Sequence, residues 1–203
     1  MSQIPDPDLY KALQEEGNRR KFDTHSAEMM YRYLTPLSSQ IANLPLDEVN
    51  ILCHGIRNGS ELKGFIRLVE ENGKDCDLVL GTDISVTAKS VEYAIQHDFH
   101  EPIENSQSQF HIVFSNSLDQ SNQPEKAIKM WLSQLDPRGV LILGWSEAHG
   151  KLGLSNLDPF ACETELFPFL FLLWSDGLGY IERFIPDHLD RPRRGFFVIR
   201  KML

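Results

Sequence analysis

From Asp47 onward the chain alternates between short β-rich runs and longer stretches whose apolar residues recur with helical period. Val49-Asn50-Ile51-Leu52-Cys53 is the first run and ends at Gly55. After Gly59, Leu62, Phe65, Ile66 and Val69 trace the stripe of an amphipathic helix, which Asn72-Gly73 stops. Asp77–Gly81 is a second run, Tyr93–Gln96 a third and Phe110–Phe114 a fourth. Pro124 opens a helix with Ala127, Ile128, Trp131, Leu132 and Leu135 on its core face. A turn at Asp136–Gly139 leads to a fifth run, Val140–Trp145. Residues 161–175 have helical character despite Pro168. Two final runs, Gly179–Ile185 and Gly195–Arg200, are joined by a short polar loop and so are expected to pair antiparallel. This alternation predicts an α/β fold: a three-layer sandwich, Rossmann-like, whose seven-stranded sheet is mostly parallel with an antiparallel C-terminal strand.

The first forty-five residues differ. They are polar and helical, with Met29, Met30, Tyr33, Leu34 and Leu37 on one face until Pro36 interrupts. We therefore divide the chain into an N-terminal helical cap, residues 1–46, and an α/β domain, residues 47–203. A chain of 203 residues with 41% hydrophobic content can bury a sizeable core. Its net charge of −9 disfavours a nucleic-acid partner, because a phosphate backbone would be repelled. Cys53, Cys76 and Cys162 are widely spaced and form no CxxC pair, the pattern of reduced thiols in a cytoplasmic protein. The longest apolar run, Leu166–Trp174, is far shorter than the roughly 20 residues a bilayer requires, so no membrane association is expected.

In an open α/β sheet, ligands bind outside the carboxyl ends of the strands. Four loops qualify here. Cys53-His54-Gly55-Ile56-Arg57-Asn58-Gly59-Ser60-Glu61 leads into a helix start, where free N–H groups favour an anion, although such a GxxxG also serves as a plain turn. Asp83, followed by Ile84 and Ser85, can accept hydrogen bonds from a ribose diol or cap a helix. Asp98 and Phe99 pair an acid with a ring face after the third run. Ser115, Asn116 and Ser117 place polar groups after the fourth.

Together these loops resemble the successive motifs of class I S-adenosylmethionine-dependent methyltransferases, in order and at near-family spacing. Ile51–Gly59 is similar to the first motif, Gly81–Ser85 to the second, His97–Phe99 to the third, and Phe110–Asn116 to the fourth. Leu135–Leu143 is similar to the turn that precedes the fifth strand. The resemblance implies S-adenosyl-L-methionine as cofactor. It implies that His54, Gly55, Arg57 and Gly59 pass under its methionine part, and that Asp83 with Ile84 holds the ribose. It further implies that Asp98 and Phe99 contact the adenine, and that Ser115 and Asn116 meet the amino group. The chain departs from the family at Cys53 and His111, where acids are usual, and at Arg57, where glycine is usual. Arg57 can pair with the cofactor carboxylate or obstruct the site. These departures leave open a second reading, a degenerate fold acting as a binding or partner subunit.

Proton removal from a hydroxyl acceptor needs a base or a metal. Asp119 follows the fourth run, and Glu147 and His149 follow the fifth; His25 lies in the cap. We expect His149 to be the general base and Asp119 to orient it or the acceptor. The same two residues with Glu147 could hold a cation, but no tight ligand spacing supports that and no metal is expected. Arg191, Arg193 and Arg194, beside Asp187 and His188, form either a solvated loop paired with its own aspartates or an anion-recognising loop. Apart from the motif that its backbone belongs to, His54 is expected, with His97, His100 and His111, to be structural or to support the site from behind. The expected acceptor is a small molecule or a glycan bearing a hydroxyl.

Overall fold

A computed structural model describes residues 6–146, 155–187 and 194–202. Helix α1 (Pro7–Lys21) begins at Asp6, whose carboxylate accepts from the N–H groups of Asp8 and Leu9. Helices α2 (Ala27–Leu34) and α3 (Ser38–Ala42) complete the N-terminal part. There follow β1 (Glu48–His54), α4 (Ser60–Glu71), β2 (Asp75–Asp83) and β3 (Ala94–Gln96). After these come β4 (Phe110–Ser115), α5 (Pro124–Gln134), β5 (Leu135–Trp145), α6 (Phe167–Ser175), β6 (Gly179–Pro186) and β7 (Gly195–Lys201).

The strands form one seven-stranded sheet in the order β3-β2-β1-β4-β5-β7-β6. Strands β3 to β5 pair in parallel, and β7 runs antiparallel to both β5 and β6. Strand order reverses between β1 and β4, which opens a crevice beyond their carboxyl ends. The expected three-layer, Rossmann-like architecture is what the chain adopts.

Alternating residues along β1 and β4 feed two apolar clusters, one on each face of the sheet. Ile51, Cys53, Ile112 and Phe114 face one way, packed with Phe65 and Val69 of α4. Leu52 and Val113 face the other, packed with Ile128, Trp131 and Leu132 of α5. Leu34, Leu37, Ile41 and Leu44 of the N-terminal part belong to the first cluster.

Two boundaries differ from expectation. Asp136–Gly139 is absorbed into β5, which takes up its extra length through a register irregularity against β4 between Phe110 and Ile112. Helix α6 begins at Phe167 rather than near residue 161, with Pro168 in its first turn where a missing N–H costs nothing. It buries Phe167 and Phe171 and leaves Phe169, Leu172 and Leu173 exposed. The segment after Asp83 holds only a 3-10 turn at Val86–Ser90. No helix among the described residues is long and apolar enough to cross a membrane.

Candidate functional site

The loops after β1, β2, β4 and β5 converge on the crevice at the β1/β4 reversal. The β1 loop turns sharply because Gly55 takes a positive φ of 72°. A Cβ there would lie 2.5 Å from Ser117 Oγ, so the β1 and β4 loops meet backbone against side chain. Arg57 also sits at positive φ, and Gly59 leads directly into α4.

Asp83 ends β2 and is only 3% exposed. Its Oδ2 accepts the Arg57 N–H at 2.9 Å, and its Oδ1 accepts the Ser85 N–H at 2.8 Å. The Asn18 side-chain amide of α1 also donates to Oδ1, at 2.6 Å. Burial pushes the Asp83 carboxyl above the usual range, against these hydrogen bonds. Asp98 is tied to His100, whose backbone N–H donates to Oδ1 at 3.0 Å and whose Nδ1 lies 2.6 Å from the same atom. Burial opposes ionisation there, yet the contacts with His100 hold the Asp98 carboxyl below its ordinary value. Phe99 packs edge-on to Trp131 at the margin of the core.

Helix α1 lies across this end of the crevice. Tyr10, Gln14 and Asn18, one turn apart, are its buried residues. The Tyr10 hydroxyl donates to the Gln120 carbonyl at 2.9 Å, and the ring meets His100 edge-on. Between these side chains and Gly55, Asp83, Ile84, Asp98 and Phe99 only about 10 Å³ remains. That is room for a single water molecule. A nucleoside enters here only if α1 or its side chains move.

The other end is open. A cavity of about 420 Å³ is bounded by Arg57, Asn116, Asp119, His25, Tyr33 and Arg194, among others. Burial, then the nearby Arg57, lowers the His25 pKa and favours a neutral imidazole. Arg194 lies 2.8 Å from the Asp187 carboxylate, so one arginine of the anticipated cationic loop does reach this cavity. Arg191, Arg193 and His188 lie outside the described residues, as do Glu147 and His149, the expected base. Among the described residues, no group of three or more His, Cys, Asp or Glu side chains converges on a common point.

Of the anticipated cofactor residues, Gly55, Asp83, Ile84, Asp98 and Phe99 gather at the closed end. Arg57 and Asn116 lie at the open end. Three, His54, Ser115 and Gly59, line neither cavity. The His54 ring stacks on Trp131 and bonds with Thr82 Oγ1 and Gln134 Oε1. Ser115 Oγ donates to the His54 carbonyl and accepts the Ser117 N–H, which secures the β4 loop from behind. Gly59 is filled against Val91.

The sequence places Glu61 at the end of the first candidate loop but assigns it no role. It lies in the first turn of α4, is 4% exposed, and accepts from Asn116 Nδ2 at 3.3 Å through Oε1. Its Oε2 has no protein partner, and neither does the buried Arg57 Nε. Burial raises the Glu61 carboxyl to about 7. Its sequence signal was a charge on the buried face of α4, one residue before Leu62. Sequence reasoning missed Tyr10, Gln14 and Asn18, whose signal was a polar face repeating every four residues.

No protein-family model matches the chain, and no curated protein is similar enough to match. Solved structures do match. A Burkholderia thailandensis 1,6-didemethyltoxoflavin-N1-methyltransferase, solved with S-adenosylhomocysteine and 1,6-didemethyltoxoflavin, aligns over 100% of this chain and 93% of its own, with a TM-score of 0.66 and 14% identity. A chain of the complex between the Haloferax volcanii Trm112 methyltransferase activator and a methyltransferase aligns over 95% and 96%, with a TM-score of 0.62 and 11% identity. A Methanococcus maripaludis protein assigned to the S-adenosyl-L-methionine-dependent methyltransferases aligns over 99% and 96%, with a TM-score of 0.60 and 13% identity. The fold is that of class I S-adenosylmethionine-dependent methyltransferases.

Proposed function

We propose that this chain, folded as class I methyltransferases are, transfers a methyl group from S-adenosyl-L-methionine to a hydroxyl of a small polar acceptor or glycan. The observation that carries this reading is Asp83, a buried carboxylate at the end of β2 that opens on the β1/β4 crevice. A carboxylate at that place suits two vicinal hydroxyls, since it presents two acceptor oxygens. Two unmatched buried atoms, Glu61 Oε2 and Arg57 Nε, suit a ligand with charge at its other end. Bound S-adenosyl-L-methionine supplies an electrophilic methyl on a sulfonium sulfur.

The chain's own residues then have separable tasks. Asp83 holds the ribose, and the Gly55 turn lets the backbone approach closely. Asp98 and Phe99 flank the adenine, and α1 excludes water from that end. The 420 Å³ cavity receives the acceptor beside Asp119 and Asn116. His149 removes the acceptor proton and Asp119 orients the acceptor. In this reading residues 1–46 serve as the cap and the three free cysteines suit a cytoplasmic setting.

One observation favours a second reading, a catalytically silent binding or partner subunit: α1 fills the nucleoside end almost completely. Titration calorimetry with S-adenosylhomocysteine separates the two. We expect binding by the wild type and at least tenfold weaker binding by Asp83→Ala, the scale of a lost hydrogen bond to a charged group. No heat with millimolar ligand would remove the enzyme reading. Equal affinity of the variant would remove the ribose assignment.

A further inference from the structure

We infer that the outer face of α6 is a self-association surface, on which a second copy of this chain docks about a twofold axis. The inference goes beyond the function proposed above and does not depend on it.

Helix α6 contains no charged residue. Its inner face is taken up by the core: Phe167 and Phe171 are buried, and Trp174 packs edge-on against Phe160. The opposite face is just as apolar. Leu166, one residue before the helix, and Phe169, Leu172 and Leu173 within it are between 54% and 73% exposed. Steps of three and four residues align them in one stripe. A helix that is apolar all round has neighbours all round, and this one lacks them on its outer side. Nine residues are too few to span a bilayer.

Size and charge select the neighbour. The four exposed side chains present roughly 450 Å² of apolar surface. Each partner in a standard interface contributes roughly 800 Å², a little over half of it apolar, so the stripe supplies the apolar share of one such half. Trp174 also lines a groove of about 800 Å³, together with Pro124 and Met130 of α5. An apolar ridge and a groove on neighbouring helices are self-complementary, because a twofold axis can set each ridge against the other copy's groove. The lysines that line the groove are already matched, Lys126 to Glu101 at 2.6 Å and Lys129 to Glu125 at 2.9 Å, so docking brings no unpaired lysine charge together. A lipid surface fits less well. Glu163, Glu165 and Asp176 flank the stripe in a chain of net charge −9, which anionic headgroups repel. Strand β6, at the edge of the sheet, is blunted by Glu182, Arg183 and Pro186, which favours the helix face over edge pairing.

Sedimentation equilibrium of the full chain, from about 1 μM to about 1 mM, tests this. The wild type is expected to pass from the mass of one chain to that of two. Phe169→Glu and Leu173→Glu are each expected to weaken association at least thirtyfold or so, as a charge at the centre of an interface does, with an unchanged unfolding midpoint. A wild type that keeps the mass of one chain at the highest concentration overturns the inference. So does a pair that both variants form as tightly as the wild type. Should the glutamate variants unfold, Leu172→Cys treated with a short bismaleimide decides. Linked pairs well above the wild-type background support the surface, and background alone overturns it. A wild type that stays single yet cosediments with phosphatidylserine-containing vesicles gives this face to lipid and also overturns the inference.

Discussion

His54 and Glu61 are buried titratable side chains a few residues apart, and burial acts on them in opposite senses. Burial lowers the His54 pKa to about 3, so between roughly pH 3 and 6.5 the unfolded chain binds more protons than the folded one. Stability from this group therefore rises with pH across that window and is lost on acidification. Burial raises Glu61 to about 7, so between roughly pH 4.5 and 7 the folded chain binds more protons. Its contribution falls as pH rises. In the wild type the two slopes oppose each other. Glu61→Gln removes one of them, and its gain in unfolding free energy between pH 5 and pH 7 should exceed that of the wild type by about 2 kcal/mol. Urea denaturation of both proteins at the two pH values checks this; parallel curves would show that Glu61 is not ionising from a buried position. The positions of Asp83, Asp98 and Asn116 were readable beforehand, because each directly follows a strand and the sheet sends all such loops to one edge. Glu61 was not, because a charge in a helical stripe says nothing about which distant loop it will meet.

Helices α1 and α2 lie on the same sheet edge yet are held by different physics. Helix α2 crosses α4 at Gly64, where a Cβ would lie 3.0 Å from Leu34 Cδ1 and 3.2 Å from the Tyr31 backbone nitrogen. Gly64→Val should force the helices apart and cost about 1–3 kcal/mol, as overpacking does, measured as a lower denaturation midpoint at unchanged slope. A variant as stable as the wild type would mean that the crossing is loose. Helix α1 instead turns a polar face inward, and its Asn18 amide occupies an oxygen of Asp83. Asn18→Ala should leave that oxygen with the Ser85 N–H as its remaining donor and speed S-adenosylhomocysteine association about tenfold in stopped-flow experiments. Slower binding would show that Asn18 helps hold the ligand rather than competing with it. The period of α4 and α5 was legible because their apolar faces bury against the sheet. The inward face of α1 was not, because a polar stripe looks solvated until a partner is known.

The chain as a whole divides unequally at its N-terminal end. Helix α1 contributes no residue to either apolar cluster, whereas Leu34, Leu37, Ile41 and Leu44 sit inside the first. Removing residues 1–21 should leave a single cooperative unfolding transition. Removing residues 1–46 should abolish it: losing even one such buried side chain costs about 2–5 kcal/mol, against a total stability of about 5–15 kcal/mol. Calorimetric scans of both truncations test this, and a cooperative transition in the shorter chain would mean that the sheet domain stands alone. The class of fold, the succession of strands and helices and the edge to which the loops after the strands go all followed from local periodicity, because a strand or helix must bury its apolar face whatever surrounds it. Tertiary packing alone decided that α1 fills the closed end of the crevice and that Glu61, not a β1 residue, carries its second buried acid. Both depend on how sequence-distant surfaces meet, and no local pattern encodes that distance.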